Sequence, residues 1–132
     1  MIEITTDKSK LDIKTIHQFL TKSYWAKGRT LEEVKKTIEH CLCFGVYLKD
    51  KQIGFARIAT DYTVFAYLMD VFILPEYRGK GYSKKLMEAI NQSSKLQSCK
   101  VWMLKTSDAH GLYEQFGYSK LSHPERLMER LL

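Results

Sequence analysis

Apolar positions along this chain fall into two rhythms, and the alternation between them sets out the elements. From Ala66 to Leu74 the residues are almost uninterruptedly apolar, in a short run rich in aromatic and β-branched types, which predicts a strand covered on both faces. Pro75 ends it, because proline has no amide hydrogen and biases Leu74 toward extended geometry. Tyr82, Leu86, Ala89 and Ile90 then recur at the spacing of one helix face. Upstream, Ile2 to Thr5 reads as a short strand, and Leu11 to Ser23 as a helix that turns Ile13, Ile16 and Leu20 inward with Asp12 near its start. Thr30 and Glu33 form a capping box ahead of a stripe of Leu31, Val34, Ile38 and Leu42. Leu42 to Lys49 and Ile53 to Thr60 read as a hairpin joined by Asp50-Lys51-Gln52. Beyond the central helix, Lys100 to Thr106 is a strand, Ala109 to Phe116 a short helix stopped by Gly117, and Tyr118 to Leu121 one more strand; a final strand within Ser122 to Leu132 is left open. Three antiparallel strands followed by a strand, helix, strand crossover predict an α/β fold with a mixed sheet, one parallel pair and helices on both faces.

At 132 residues the length suits a single domain, residues 1–132, with one sizeable core. No apolar run is long enough to span a membrane, and Met1-Ile2-Glu3-Ile4 lacks the basic start of a secretory signal, so a cytoplasmic protein is expected. Lys and Arg number 21 against 15 Asp and Glu, a formal charge of +6 that suits a polyanionic partner. Those cations are scattered and accompany no nucleic-acid motif, so a small phosphorylated ligand is favoured over nucleic acid. Cys41, Cys43 and Cys99 have no metal-type spacing and read as reduced thiols, with Cys41 and Cys43 packing at a strand edge. No metal site is expected.

Candidate chemistry concentrates after the central strand. In Arg78-Gly79-Lys80-Gly81 the missing side chains let the chain turn sharply and let a ligand approach the amides, while the first amides of the following helix lack acceptors and carry the positive end of its dipole. A phosphate fits there, steered by Arg78, Lys80, Lys84 and Lys85. The spacing is not that of a P-loop, and Lys84 stands where a dinucleotide fingerprint needs its third glycine.

Arg78-Gly79-Lys80-Gly81-Tyr82-Ser83 resembles the [RQ]-x-x-G-x-[GA] signature of the GNAT superfamily of acyl-coenzyme A dependent N-acetyltransferases, with Ser83 in place of the final small residue. Leu112-Tyr113-Glu114-Gln115-Phe116-Gly117-Tyr118 resembles that family's L-Y-x-x-x-G-[FY] pattern, in family order and after the expected strand. The Thr106-Ser107-Asp108-Ala109-His110-Gly111 approach departs from the usual asparagine-led one. The resemblance covers nearly the whole chain and is closest to small, uncharacterised acetyltransferases.

It implies acetyl transfer from acetyl-coenzyme A to a primary amine of a small molecule or polypeptide, with a homodimer left open. It also implies that the backbone of Val71, Phe72 and Ile73 pairs with the pantetheine arm and aims an amide at the thioester oxygen, and that the pyrophosphate caps Gly79, Lys80, Gly81, Tyr82, Ser83 and Lys84 beside Arg78. Tyr113 is the candidate general acid, or else a packing tyrosine. Asp70, inside an apolar strand, is a candidate base or a paired structural aspartate; Asp61 and His110 are lesser candidates. Tyr24, Trp25 and Arg29 either shape the acceptor pocket or pack their loop. A coenzyme A binding module without turnover is the rival reading.

Overall fold

The computed structural model describes residues 1–132. Five strands form one sheet in the order β1-β2-β3-β4-β5: β1 Ile2–Thr5, β2 Leu42–Leu48, β3 Lys51–Thr60, β4 Phe65–Ile73 and β5 Val101–Leu104. The first four pair antiparallel and β4 with β5 parallel, as the strand, helix, strand pattern requires. The helices are α1 Ile13–Leu20, α2 Leu31–His40, α3 Tyr82–Asn91 and α4 His110–Glu114.

Both faces of the sheet are covered. On one, Leu86, Met87 and Ile90 of α3 bury against Phe44, Ile58, Ala66 and Leu68. On the other, Ile16 and Leu20 of α1 and Val34 and Ile38 of α2 close over Cys43, Phe55 and Phe72. Local chemistry sets the helix starts. Asp12 accepts from the Thr15 amide, and Thr30 and Glu33 exchange side-chain and backbone bonds in a complete capping box.

Several boundaries differ from the sequence reading. Leu42 belongs to β2 rather than to the α2 stripe, because Cys41 is already extended. β3 begins at Lys51, so the hairpin turns on Lys49 and Asp50, with Lys49 at φ 55. Cys41 and Cys43 are buried, at 8% and 1% exposure, because they pack under α1 and α2; Cys41 precedes β2, and β1 stops opposite Gly45, so Cys43 has a strand neighbour on the β3 side alone. No strand forms over Tyr118 to Leu121, and beyond it the chain makes only the short turn Pro124–Arg126.

Candidate active site

β4 outruns its parallel neighbour. Phe65 to Leu68 pair with Val101 to Leu104, but β4 continues to Ile73, so its second half has β3 on one side and no strand on the other. Within that half the register steps from Phe55 opposite Phe72 to Arg57 opposite Met69, so β4 carries one residue more than β3. This is a β-bulge, and Asp70 within it has φ 54, a left-handed conformation costing a non-glycine residue on the order of 1–3 kcal/mol. The Leu74 amide donates to the Ile53 carbonyl at 2.8 Å. Ladder alternation then commits the main chain of Phe72 to β3 and leaves Asp70 and Val71 outside it. The expected trio of Val71, Phe72 and Ile73 therefore narrows to Val71 and Ile73, while the Phe72 ring stacks on Phe19 at 4.1 Å.

The open half of β4 runs into the glycine turn. Gly79 and Gly81 both have φ 80, a conformation that side chains disfavour, and a Cβ on either would meet nothing within 4 Å. α3 starts at Gly81 without any side-chain cap, so its leading amides face open space. A cavity of about 270 Å³ lies over them, lined by seven of the expected residues, Ile73, Arg78, Gly79, Gly81, Tyr82, Ser83 and Lys84, and by Tyr77 and Leu112, which the sequence reading had not placed there. Lys80 is exposed outside that lining. Arg78 is pinned: its Nε donates to the Ile73 carbonyl at 2.9 Å and its guanidinium lies 6.0 Å from the Phe19 ring centre. A larger cavity of about 490 Å³ lies between α1 and Leu74-Pro75-Glu76 and contains none of the motif residues.

A second group of side chains gathers around the bulge. Asp70 is 4% exposed, and its carboxylate accepts from Arg57 Nε at 2.8 Å, Arg29 Nη1 at 2.5 Å and the Trp25 indole at 3.2 Å. Burial works against the Arg57 charge, yet Asp70 and the bonds to Cys41 and Asp70 outweigh it and raise the guanidinium above its ordinary value. Of the two sequence readings of Asp70, the paired one describes this geometry. Trp25 and Arg29, from the loop between α1 and α2, are tied to the bulge, and Arg57 is the member the sequence reading missed. Tyr24 meets Trp25 edge-on at 5.1 Å, accepts from the Ser107 hydroxyl at 2.7 Å and lies 3.4 Å from Asp108.

Tyr113 sits on α4, half-buried against the α3 side of the core, with its ring edge-on to Tyr118 at 5.9 Å. Burial, followed by the nearby Asp108 and Tyr24, pushes its phenol up to about 12. Asp61 instead accepts from the Thr63, Val64 and Phe65 amides, and those bonds hold its carboxyl down to about 2, which makes it a turn residue rather than a base. His110 is exposed at the start of α4. No three His, Cys, Asp or Glu side chains come together in a way that would hold a metal.

Residues 39–120 match the family model described as the acetyltransferase (GNAT) domain. This chain belongs to the GNAT family. A Xanthomonas campestris protein assigned to the GNAT family, known from a crystal structure, is 47% identical over all of this chain and 94% of its own, with a TM-score of 0.97. An uncharacterized N-acetyltransferase of Prochlorococcus marinus is 36% identical over 64% of this chain and 49% of its own length. This chain therefore spans about half the length of that curated relative. A Clostridium acetobutylicum protein named as a predicted acetyltransferase, whose crystal structure is described with acetyl-CoA, shares the fold at TM-score 0.74, with 14% identity over 99% of this chain and 96% of its own. The GNAT match takes in the bulge, the glycine turn and Tyr113, and leaves the loop bearing Tyr24, Trp25 and Arg29 outside it.

Proposed function

We propose that the protein is an N-acetyltransferase that moves the acetyl group of acetyl-coenzyme A to a primary amine of a small molecule or polypeptide. One observation carries the reading: the unpaired half of β4 leads, through the short turn Pro75–Tyr77, to a glycine turn and a helix start with no side-chain cap. An extended thioester arm fits the first as an added strand, and a diphosphate fits the second. Gly79, Gly81 and the α3 amides would hold the diphosphate, with Lys84 beside them, and the main chain of Val71 and Ile73 the arm. The bound cosubstrate supplies an acetyl group activated as a thioester.

The chain's own residues then have separate tasks. The bulge places the Val71 peptide outside the β3 ladder, where its amide can stabilise the oxyanion that develops as the amine attacks the carbonyl carbon. The carbon-nitrogen bond forms, the carbon-sulfur bond breaks, and the thiolate takes a proton. Tyr113 is the donor: a phenol pushed up to about 12 is protonated at neutral pH, and since the thiol, ordinarily near 8.5, is the stronger acid, the transfer runs uphill and is completed when the phenolate takes a proton back from water. Asp70 has both oxygens occupied by cationic or indole donors, so we assign it to holding the bulge and the Trp25-Arg29 loop, and assign the ammonium proton to water. Tyr24 and Trp25 form the acceptor wall.

Three buried free thiols suit a reducing compartment and a cytoplasmic setting. No helix is long and apolar enough to cross a membrane. The partner we propose is the amine, not nucleic acid or a bilayer. Thiol release from acetyl-coenzyme A across an amine panel tests the proposal. Amine-dependent release is expected, whereas calorimetric binding without release from any amine would leave only a binding module.

A further inference from the structure

Two guanidinium groups meet a single carboxylate at the bulge. Arg57 is 6% exposed, and Arg29 reaches the same place with its side chain 18% exposed. Arg29 Nη1 and Arg57 Nε both donate to one oxygen, Asp70 Oδ2, and the Trp25 indole donates to the other. The cluster is therefore one negative charge short, and an uncompensated charge held away from water is destabilising. No second carboxylate closes the gap. The other partner of Arg57 is the Cys41 sulfur at 3.4 Å. Glu33 is near enough to feel the Arg29 charge, but it is exposed, holds the Thr30 amide in the capping box and forms no ion pair with Arg29.

The missing charge has a place to bind. Of the guanidinium nitrogens of Arg29, only Nη1 is engaged. The buried side-chain polar atoms without a partner are the Tyr47 and Tyr118 hydroxyls alone, so Arg29 Nε and Nη2 are open to solvent. Those two nitrogens form one edge of the planar group and match the two oxygens of a carboxylate. Trp25 converges with Arg29 on Asp70, and Tyr24 extends the exposed aromatic surface edge-on to Trp25. Past Tyr24, its hydroxyl 3.4 Å away, stands Asp108, an exposed carboxylate that has no cationic partner. The wall thus runs from a free cationic edge, across two aromatic rings, to a free anionic group.

Given the acetyl transfer proposed above, we infer that the acceptor is an amino acid, its carboxylate docked on the Nε and Nη2 edge of Arg29, its body along Trp25 and Tyr24, and its ammonium drawn toward Asp108. The docked carboxylate supplies the charge that the cluster lacks. Asp70 directly precedes Val71, the peptide proposed to stabilise the oxyanion, so the Arg29 edge borders the proposed reacting centre.

Thiol release with matched acceptors tests this: glycine against methylamine, phenylalanine against phenethylamine, 4-aminobutyrate against propylamine, and lysine against cadaverine. Each rate is taken per neutral amine, because the carboxylate also changes basicity. In the pair that turns over fastest, the carboxylate-bearing member should have a kcat/KM at least about tenfold higher, the worth of a charge-assisted contact, with most of the difference in KM. In Arg29→Gln that ratio should fall to about one, as expected when a neutral side chain replaces the fork. In the unaltered protein, 3-phenylpropionate, a carboxylate with no amine, should compete with phenylalanine and not with acetyl-coenzyme A. That arm needs no variant, so it decides even where Arg29→Gln fails to fold. Equal kcat/KM within the pairs, or a preference for the member lacking the carboxylate, overturns the inference and leaves acetyl transfer standing; no release from any amine overturns both. A preference that survives in Arg29→Gln overturns it too, since the carboxylate is then read elsewhere. So does competition of 3-phenylpropionate with acetyl-coenzyme A, which gives the Arg29 edge to the cosubstrate.

Discussion

The glycine wall and the side-chain wall around Asp70 are made by different means. From Ile73 to Lys84 one contiguous stretch shapes the glycine wall with its main chain, and side chains do little beyond the Arg78 contact to Ile73. The side-chain wall is held from three separate places, Trp25 and Arg29 in a loop, Arg57 on β3 and Asp70 on β4. A main-chain site tolerates changes that leave its backbone and its open space alone. An ion cluster fails as a unit, because removing one member strands the others. The family match covers the glycine turn together with Arg57 and Asp70, and stops short of Trp25 and Arg29.

The largest effect should come from filling the glycine wall. Gly81→Glu places a negative charge against the proposed diphosphate and is expected to weaken acetyl-coenzyme A binding by more than about a hundredfold, or roughly 2.7 kcal/mol, in calorimetry. Gly81→Ala separates charge from backbone: its Cβ meets nothing within 4 Å, so only the φ 80 strain, of about 1 kcal/mol, should appear. If both variants bound normally, the site would lie elsewhere.

The side-chain wall should respond in stability before affinity. Asp70→Ala leaves Arg57 buried without its partner and should cost about 3–5 kcal/mol in urea unfolding. Asp70→Gly relieves the φ 54 strain yet removes the same carboxylate, so a similar loss in both variants assigns the effect to the ion cluster, and full stability in Asp70→Gly would assign it to the backbone.

Tyr113→Phe should lower kcat by about a hundredfold with acetyl-coenzyme A affinity unchanged. Equal turnover would remove its acid role. The smallest signal is in pH. A phenol pushed up to about 12 stays protonated well beyond the roughly 10 of a free tyrosine, so kcat should show no Tyr113-dependent alkaline fall up to pH ~10. A fall centred near 10 that vanishes in Tyr113→Phe would contradict the burial argument.

What was legible in the sequence follows the division between the walls. Turn, helix start and strand are local, so Pro75, Gly79 and Gly81 announced the glycine wall together with the phosphate chemistry it suits. The sheet order followed from strand spacing and one crossover. Asp70, by contrast, reads as an isolated carboxylate among apolar neighbours, and nothing in its local sequence reveals two guanidinium groups arriving from Arg29 and Arg57. Nor did the pattern foretell that Tyr118 to Leu121 would form no strand, where Ser119, Lys120 and Leu121 are exposed.

The extra residue at Asp70 also reverses the parity of β4. Before it, even-numbered Ala66 and Leu68 turn to the α3 layer; after it, even-numbered Phe72 turns to the α1 layer, and odd-numbered Ile73 takes the α3 side. Removing one residue there would restore plain alternation and leave Phe72 and Ile73 in the layers they already occupy. The insertion therefore shapes the bulge without deciding the two hydrophobic layers, so one can be redesigned without the other.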